Sequence, residues 1–412
     1  MDRVILHSDM NAFYASVEQM LDPTLCGKAV AVCGSTEDRH GIVLAKSQPA
    51  KKAGIKTGMV TWEAKRLCPE LIVVPPQYDQ YLKYSKQAQA IYQRYTDQVE
   101  PFGMDESWLD VTGSRQACGN GMEIAEEIRT AMREELGLTV SIGVSFNKIF
   151  AKLGSDMKKP DAITEISRER FQERIWPLPV SELLYVGRAS TKKLLGYGIC
   201  TIGQLAQSDP GFLHALFGKN GLMLLAFARG EDCSRVMHKD FISPIKSIGH
   251  GTTANADLTN EQEVWKIFLY LAQDIGHRLR VHELCAKGVQ IFVKDSDLFY
   301  QQFQAPLPIA TQSSAEIAHL GMRLFREKYR WSRMIRAITI RAIRLAPKTD
   351  PQQLQLFDNA WQRDKRDRLE DTVDQIRGRF GTNAIYPAAL MGNLKLPGAD
   401  LHEVVMPGTM YV

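Results

Sequence analysis

Two acidic side chains, Asp105 and Glu106, adjoin at the bend of VEPFGMDESWLDVT, residues 99–112. Val99, Leu109 and Val111 supply short β-prone runs, and Pro101 and Gly103 break regularity ahead of the acids. The alternation Leu109, Asp110, Val111 fits a half-buried strand, so the stretch reads as a hairpin with two carboxylates at its turn. Alone, an adjacent Asp-Glu pair is more often a solvated turn than a site. A third acid changes its meaning. Asp9 follows the apolar run Val4, Ile5, Leu6, and a helical pattern then runs from Phe13 through Val17 to Met20. Strand, turn, helix, with the strand from Arg3 to Ser8, puts Asp9 at the turn leaving the strand's carboxyl end, where open α/β sheets bind ligands. Three unpaired carboxylates repel one another. Mg²⁺ is the usual remedy, since it takes oxygen ligands and is commonly held by carboxylates together with substrate phosphates. The implied chemistry is metal-assisted phosphoryl transfer.

Cations flank these acids in the sequence. KSQPAKKAGIKTGM, residues 46–59, crowds Lys46, Lys51, Lys52 and Lys56 around Gly54 and Gly58, a composition that suits a triphosphate, although a solvated loop is the default reading. In SFNKIFAKLGSDMKKP, residues 145–160, Lys148, Lys152, Lys158 and Lys159 approach from a second side, with Pro160 stopping the helix near Lys159.

The elements that must position these groups follow from periodicity. Val30–Cys33 and Ile42–Ala45 read as strands, Thr61–Leu67 as a helix, and residues 76–98 as a long Tyr-rich helix leading into the hairpin. Met122–Leu136 is an amphipathic helix and Thr139–Val144 a strand, which completes an α/β module of strand, helix, hairpin, helix, strand. From Arg168 to Asp232 the pattern is wholly helical. The loops VGRAS (186–190) and FGKNG (217–221) set Gly187, Gly218 and Gly221 beside helix starts, where backbone amides can approach phosphates without reading bases. A linker with Ser243-Pro244 follows. Beyond it, strands and helices alternate as β-α-β-β-α-β between Ile245 and Ile343, an α+β split pattern. Its last strand, RAITIRAIRL, carries Arg336, Arg341 and Arg344, bases at both strand parities that suggest one phosphate-backbone-facing surface. Pro347 opens a polar tail in which Gln353, Leu354, Leu356 and Phe357 form QLQLF, two aliphatics and an aromatic suited to a small pocket on a partner protein or to the chain's own last helix.

Composition agrees with such a chain. Its 412 residues, 44% hydrophobic, can bury several cores and suggest about two to four domains. Formal net charge is −3 for residues 1–165, +3 for 166–241, +5 for 242–345 and −1 for the rest, an acidic module followed by two basic ones. No apolar window is long enough for a membrane span, and the N-terminus is not that of a signal peptide. The seven cysteines are scattered and never spaced as CxxC, so they read as buried free thiols of a reducing cytoplasm.

ILHSDMNAFYASVE, MDESWLDVT, SIGVSFNKIFAKLGSDMKKP and QLQLF occur in this order, and together they resemble the Y-family, or translesion, DNA polymerases, nearest to the bacterial DNA polymerase IV branch. The resemblance implies a palm over residues 1–165 with small fingers inserted at about 20–75, a helical thumb at 166–233, a linker at 234–244, a little finger at 245–346 and a clamp-binding tail at 347–412. It implies two Mg²⁺ ions held by Asp9, Asp105, Glu106 and the backbone carbonyl of Met10. Phe13, Tyr14, Gln48, Lys51 and Lys159 would meet the incoming deoxynucleoside triphosphate, with Tyr14 as the ribose gate. Primer-template DNA and a sliding clamp bound through Gln353–Phe357 would be the partners of a cytoplasmic monomer that copies damaged templates at low fidelity. The chain departs from the commoner family pattern at Asn11, Gln48 and Lys51, where Asp, Tyr and Arg are usual, and at Ala189, where a second glycine is. Two other readings stay open on the residues alone: a nucleotidyl cyclase-like palm enzyme and a non-catalytic clamp-binding scaffold.

Overall fold

A computed structural model describes residues 2–35, 41–351, 360–392 and 394–397. It divides into two compact units. Residues 42–243 with most of the N-terminal 34 form one, and the other begins at Pro244.

The first unit is built on a five-stranded sheet in the order β5-β6-β1-β7-β8. Its strands are β1 (Ile5–Met10), β5 (Val99–Pro101), β6 (Glu106–Asp110), β7 (Val140–Ser145) and β8 (Ile163–Ile166). β1 is buried along its whole length and pairs antiparallel with both β6 and β7. The turn placement expected for Asp9 is therefore corrected. Asp9 is the penultimate residue of β1, paired with Glu106 on one side and Ser141 on the other, because the strand runs on past the apolar triplet. β8 pairs parallel with β7 and went unforeseen, since four residues carry too little alternation to announce a strand.

One face of the sheet is covered by α1 (Phe13–Leu21), α4 (Tyr78–Tyr92), α5 (Arg115–Cys118) and α6 (Gly121–Leu136). Asn120 and Glu123 form a reciprocal cap at the start of α6, and Gly137, at φ 66°, closes it. A small sheet in the order β3-β2-β4, of β2 (Val30–Cys33), β3 (Val43–Lys46) and β4 (Ile72–Val74), carries α2 (Gln48–Lys52) and α3 (Thr61–Leu67).

On the other face α7 (Lys148–Met157), capped by Asn147, lies unusually close to the strands. A Cβ added at Gly143 of β7 would meet the Ala151 carbonyl oxygen at 1.9 Å, and one added at Gly154 of α7 would meet the Gly143 Cα at 3.2 Å. Two glycines facing each other let the helix backbone rest on the strand. The remaining helices, α8 (Phe171–Ile175), α9 (Arg188–Gly196), α10 (Ile202–Ala206), α11 (Pro210–Phe217) and α12 (Lys219–Ala228), enclose a separate core with Phe146 and Phe150. The segment after α12 is fastened to the sheet: Val236 is buried against Trp108, and the Met237 N–H donates to the Glu100 carboxylate at 2.9 Å.

The second unit has the order β9 (Ser247–Leu258), α13 (Glu261–Val281), β10 (Leu284–Asp295), β11 (Tyr300–Thr311), α14 (Ser314–Lys328), β12 (Ile335–Pro347). Its sheet runs β11-β10-β12-β9, with the apolar core between the sheet and the two helices. The β-α-β-β-α-β reading holds, with longer strands than expected. Beyond β12, α15 (Ala360–Phe380) sits against α13, where Arg280 pairs with Glu370 at 2.5 Å and Asp374 at 2.6 Å. All seven cysteines are free, but Cys26, Cys200 and Cys233 are exposed, which corrects the expectation that all are buried. No helix of the described residues is long and apolar enough to cross a membrane.

Replacing Gly143 with Ala forces α7 off the sheet, since backbone rather than a flexible side chain opposes the new Cβ. Urea unfolding should register a loss on the order of 3 kcal/mol.

Candidate active site

The pairing of β1 with β6 sets Asp9 opposite Glu106, and the Met10 N–H donates to the Asp105 carbonyl oxygen at 2.9 Å. The three acids thus stand at one end of adjacent strands, bordering a cavity of about 400 Å³. Tyr14, Gln48, Lys51 and Lys159 line the same cavity, so the residues expected to meet a nucleotide are brought together with the acids. Gln48 and Lys51 lie on α2, whose Ser47 cap accepts from the Ala50 N–H. Phe13 borders the cavity yet is only 2% exposed, and it belongs to the core under Tyr14.

The Tyr14 ring is fixed from behind. It stacks on Tyr81 with centroids 4.1 Å apart and an interplanar angle of 8°, and its hydroxyl donates to Met104 Sδ at 3.6 Å. Tyr81 in turn donates to the buried carboxylate of Glu18, which also accepts from Gln77 at 2.7 Å. Burial and the nearby Asp105 push the Tyr14 phenol up to about 12, so it stays neutral.

The lysines of residues 145–160 divide. Lys152 Nζ lies 2.9 Å from Glu106 Oε2 and 3.3 Å from Asp9 Oδ2, while Lys159 Nζ lies 2.7 Å from Asp9 Oδ2. Asp156 accepts both lysines, at 3.2 and 2.9 Å. Lys148 does not join them, which corrects the expectation of four converging lysines. It pairs with Glu100 at 2.7 Å and lies over the Trp108 ring, while Lys158 is exposed. The two lysines share a helix face, but one turn advances about 6 Å along the axis, which sets Lys148 beside Trp108 and its strand partner Glu100 and Lys152 beside Glu106. Burial would lower the Lys152 ammonium, yet Glu106 and Asp9 hold it above the ordinary lysine value. Asp105 has no such partner. Burial, with Glu106 and Asp9 beside it, pushes its carboxyl up to about 7.

Sequence reasoning missed Asp156, His7 and the role of Asn11. His7 is fully buried, with Nδ1 2.8 Å from Ser155 Oγ and Nε2 3.3 Å from Glu106 Oε2. The Asn11 amide donates to Ser141 and accepts the Asp161 N–H at 2.8 Å, tying down the chain just past Lys159. The i, i+4 spacing of Lys152 and Asp156 was the available signal for the former.

The three acids offer hard oxygen donors carrying more negative charge than the site neutralises comfortably, a donor set that fits a hard divalent cation. Among the described residues no three His, Cys, Asp or Glu side chains form a ready metal cage, for the Lys152 ammonium lies between the acids.

Away from the cavity, Gly187 caps α9, and Gly218, at φ 63°, joins α11 to α12, both with open space where a side chain would be. Gly221 differs. Its Cβ would meet the Leu213 carbonyl oxygen at 2.1 Å, and its N–H already donates to the Gly218 carbonyl, so close helix packing demands this glycine. In the second unit Ile338, Ile340 and Ala342 face the core while Arg341 and Arg344 are exposed and Arg336 is half-buried. A bulge between Ile335 and Ala337 and a positive φ of 54° at Arg344 account for arginines at both parities. Gln353, Leu354, Leu356 and Phe357 lie outside the described residues.

The impB/mucB/samB family pattern matches residues 8–156, and that of the family's C-terminal domain matches residues 245–356. The chain is 48% identical to the DNA polymerase IV of Acetivibrio thermocellus over 95% of its own length and 98% of the relative's. It is 36% identical to DNA polymerase IV 1 of Bacillus subtilis, over 94% and 93%. Among solved structures, a Y-family DNA polymerase chimera shares the fold, with a TM-score of 0.74 at 23% identity over 84% of this chain and 99% of that one.

The raised Asp105 carboxyl has a stability consequence. Folding favours its acid form, so its contribution is complete below the ordinary value of 3.8 and is lost as pH rises through about 7. Thermal melts in chelator should show the metal-free wild type losing stability relative to Asp105→Asn across that window, on top of the opposite trend of carboxyls held low by partners, such as Asp274 and Asp374. Asp105→Asn should flatten the profile and gain on the order of 2–4 kcal/mol at pH 8.

Proposed function

The chain belongs to the impB/mucB/samB family, and from that premise we propose that it is a DNA-directed DNA polymerase that adds deoxynucleotides to a primer 3′ end. The observation that carries the reading is the convergence of Asp9, Asp105 and Glu106 with Lys159 and Tyr14 around one cavity. Residues 1–165 serve as palm with fingers, 166–233 as thumb and 245–346 as little finger. The family's activity in copying damaged templates extends to this chain by the same likeness.

Asp9, Asp105, Glu106 and the Met10 carbonyl are the groups that would hold two Mg²⁺ ions. Bound there, the ions supply charge that acidifies the primer hydroxyl and stabilises the leaving pyrophosphate. The chain's own residues do the positioning. Lys159 and Lys51 offer ammonium groups and Gln48 an amide to the triphosphate, each as a point contact and not as the bidentate fork of an arginine. Tyr14, held by Tyr81 and Met104, presents a rigid edge to the sugar and leaves no room for a 2′-hydroxyl. The open amide ends at Gly187 and Gly218 and the arginines Arg336, Arg341 and Arg344 grip phosphate backbone without reading sequence. Gln353–Phe357 would anchor a sliding clamp through Leu356 and Phe357, and the enzyme would act as a cytoplasmic monomer.

Primer extension on a defined template tests this and separates a polymerase from a cyclase or a scaffold. Asp105→Ala or Glu106→Ala should lower extension by at least ~10³-fold while DNA affinity, measured by anisotropy, changes less than about threefold. Near-normal turnover by either variant would sink the assignment. Tyr14→Ala should raise ribonucleotide incorporation by at least about tenfold relative to deoxynucleotide, read from single-nucleotide kinetics. Unchanged discrimination would place the sugar elsewhere.

A further inference from the structure

Lys152 occupies the space in which the acids would share a cation. Its ammonium touches Glu106 at 2.9 Å, Asp9 at 3.3 Å and Asp156 at 3.2 Å, and its side chain is only 12% exposed. A divalent ion and an ammonium cannot both rest on the same two carboxylate oxygens, because like charges a few ångströms apart in a partly buried site repel far beyond thermal energy. Admission of metal therefore requires Lys152 to leave Asp9 and Glu106.

The structure contains a destination for it. Asp156 lies one turn along α7, its side chain 40% exposed, and it already contacts Lys152. That carboxylate is shared with Lys159, which also reaches Asp9. Two lysines thus divide three acids, and the arrangement can reset in one direction. A triphosphate that draws Lys159 away leaves Asp156 to Lys152 and leaves Asp9 and Glu106 to metal.

We propose that Lys152 is a resident counter-ion of the acidic site and that Asp156 is the positioning residue that receives it, so that nucleotide arrival and metal admission are coupled. The proposal rests on the polymerase reading above. Before ligands arrive, Lys152 keeps Asp9 and Glu106 together against their repulsion. Afterwards, its ion pair with Asp156 keeps the displaced ammonium from being left unpaired in a half-buried place.

Mn²⁺ binding to the full chain without DNA or nucleotide, followed by loss of the free-ion spin-resonance signal, tests it. Lys152→Gln should bind Mn²⁺ at least about tenfold more tightly than wild type. Asp156→Asn should bind several-fold more weakly, and Asp156→Glu should restore wild-type binding. In the Lys152→Gln background the Asp156→Asn change should weaken binding by a clearly smaller factor than in wild type, because Asp156 then acts only through Lys159. A general field effect of the Asp156 charge would instead weaken binding equally in both backgrounds and would overturn the proposal, as would unchanged or weaker binding by Lys152→Gln. Should Lys152→Gln melt too early for titration, the exposed Asp156 pair decides: equal affinity of Asp156→Asn and wild type refutes the role. Coupling is read separately by calorimetry of dATP binding with and without Ca²⁺. Ca²⁺ should raise dATP affinity by a smaller factor in Lys152→Gln than in wild type, chelation by dATP itself being common to both; an equal factor would overturn the coupling. Failure here with wild-type extension intact removes only this inference, whereas extension by Asp105→Ala removes the polymerase reading beneath it.

Discussion

The contact of Gly143 with Gly154 governs the chemistry of the first unit. Helices normally rest on sheets through a layer of side chains, which would hold α7 too far away for an ammonium on its flank to reach the next strand. With glycine on both surfaces the backbones touch. Lys152 and Ser155 then reach His7, Asp9 and Glu106 on β1 and β6. The strand that bears Asp9 is buried from end to end, so this carboxylate cannot relax into water and is satisfied by Lys152 of α7 and by Lys159 just beyond it.

That satisfaction is incomplete. Five charged groups, Asp9, Glu106, Asp156, Lys152 and Lys159, form a connected set, while Asp105 pairs with none of them and feels Glu106 and Asp9 more strongly than Lys152. A donor set that suits a cation is not electrically neutral without one. The cost is charge repulsion in the metal-free fold, a form of active-site strain that the surrounding hydrophobic core has to offset. The neighbouring Lys148–Glu100 pair, held over Trp108 and closed by the Met237 N–H, is by contrast fully engaged and serves to fix the chain after α12.

The second unit solves a different problem. Its sheet has one face on the helices and one open, and the open face carries Arg341. The chain beyond β12 is no loose appendage where it is described. α15 joins α13 through Arg280, the Ser314 N–H donates to Glu370, and Leu390 enters the core. Further on, the Lys395 and Leu396 carbonyls accept from the Asn255 backbone and amide. These contacts of α15 itself run through its carboxylates, which is why a helix so poor in apolar residues gave no sign in the sequence of where it would pack.

The sequence by itself determined the identity of the three acids, the hairpin that carries two of them, the amphipathic helix ending at Leu136 and the β-α-β-β-α-β order of the second unit. Each rests on a local period or a local turn preference, which the chain expresses wherever it folds. Only the tertiary structure decided that Asp9 lies within an antiparallel strand, that β8 adds to the sheet, that Gly221 serves packing and that Lys152 rather than Lys148 meets the acids. Lys148 and Lys152 are one turn apart on the same helix and chemically alike. What distinguishes them is where along the sheet each falls once α7 rests on it, Lys148 at Glu100 and Lys152 at Asp9 and Glu106, at a closeness set by two glycines from different elements, and no local pattern encodes the distance between two surfaces.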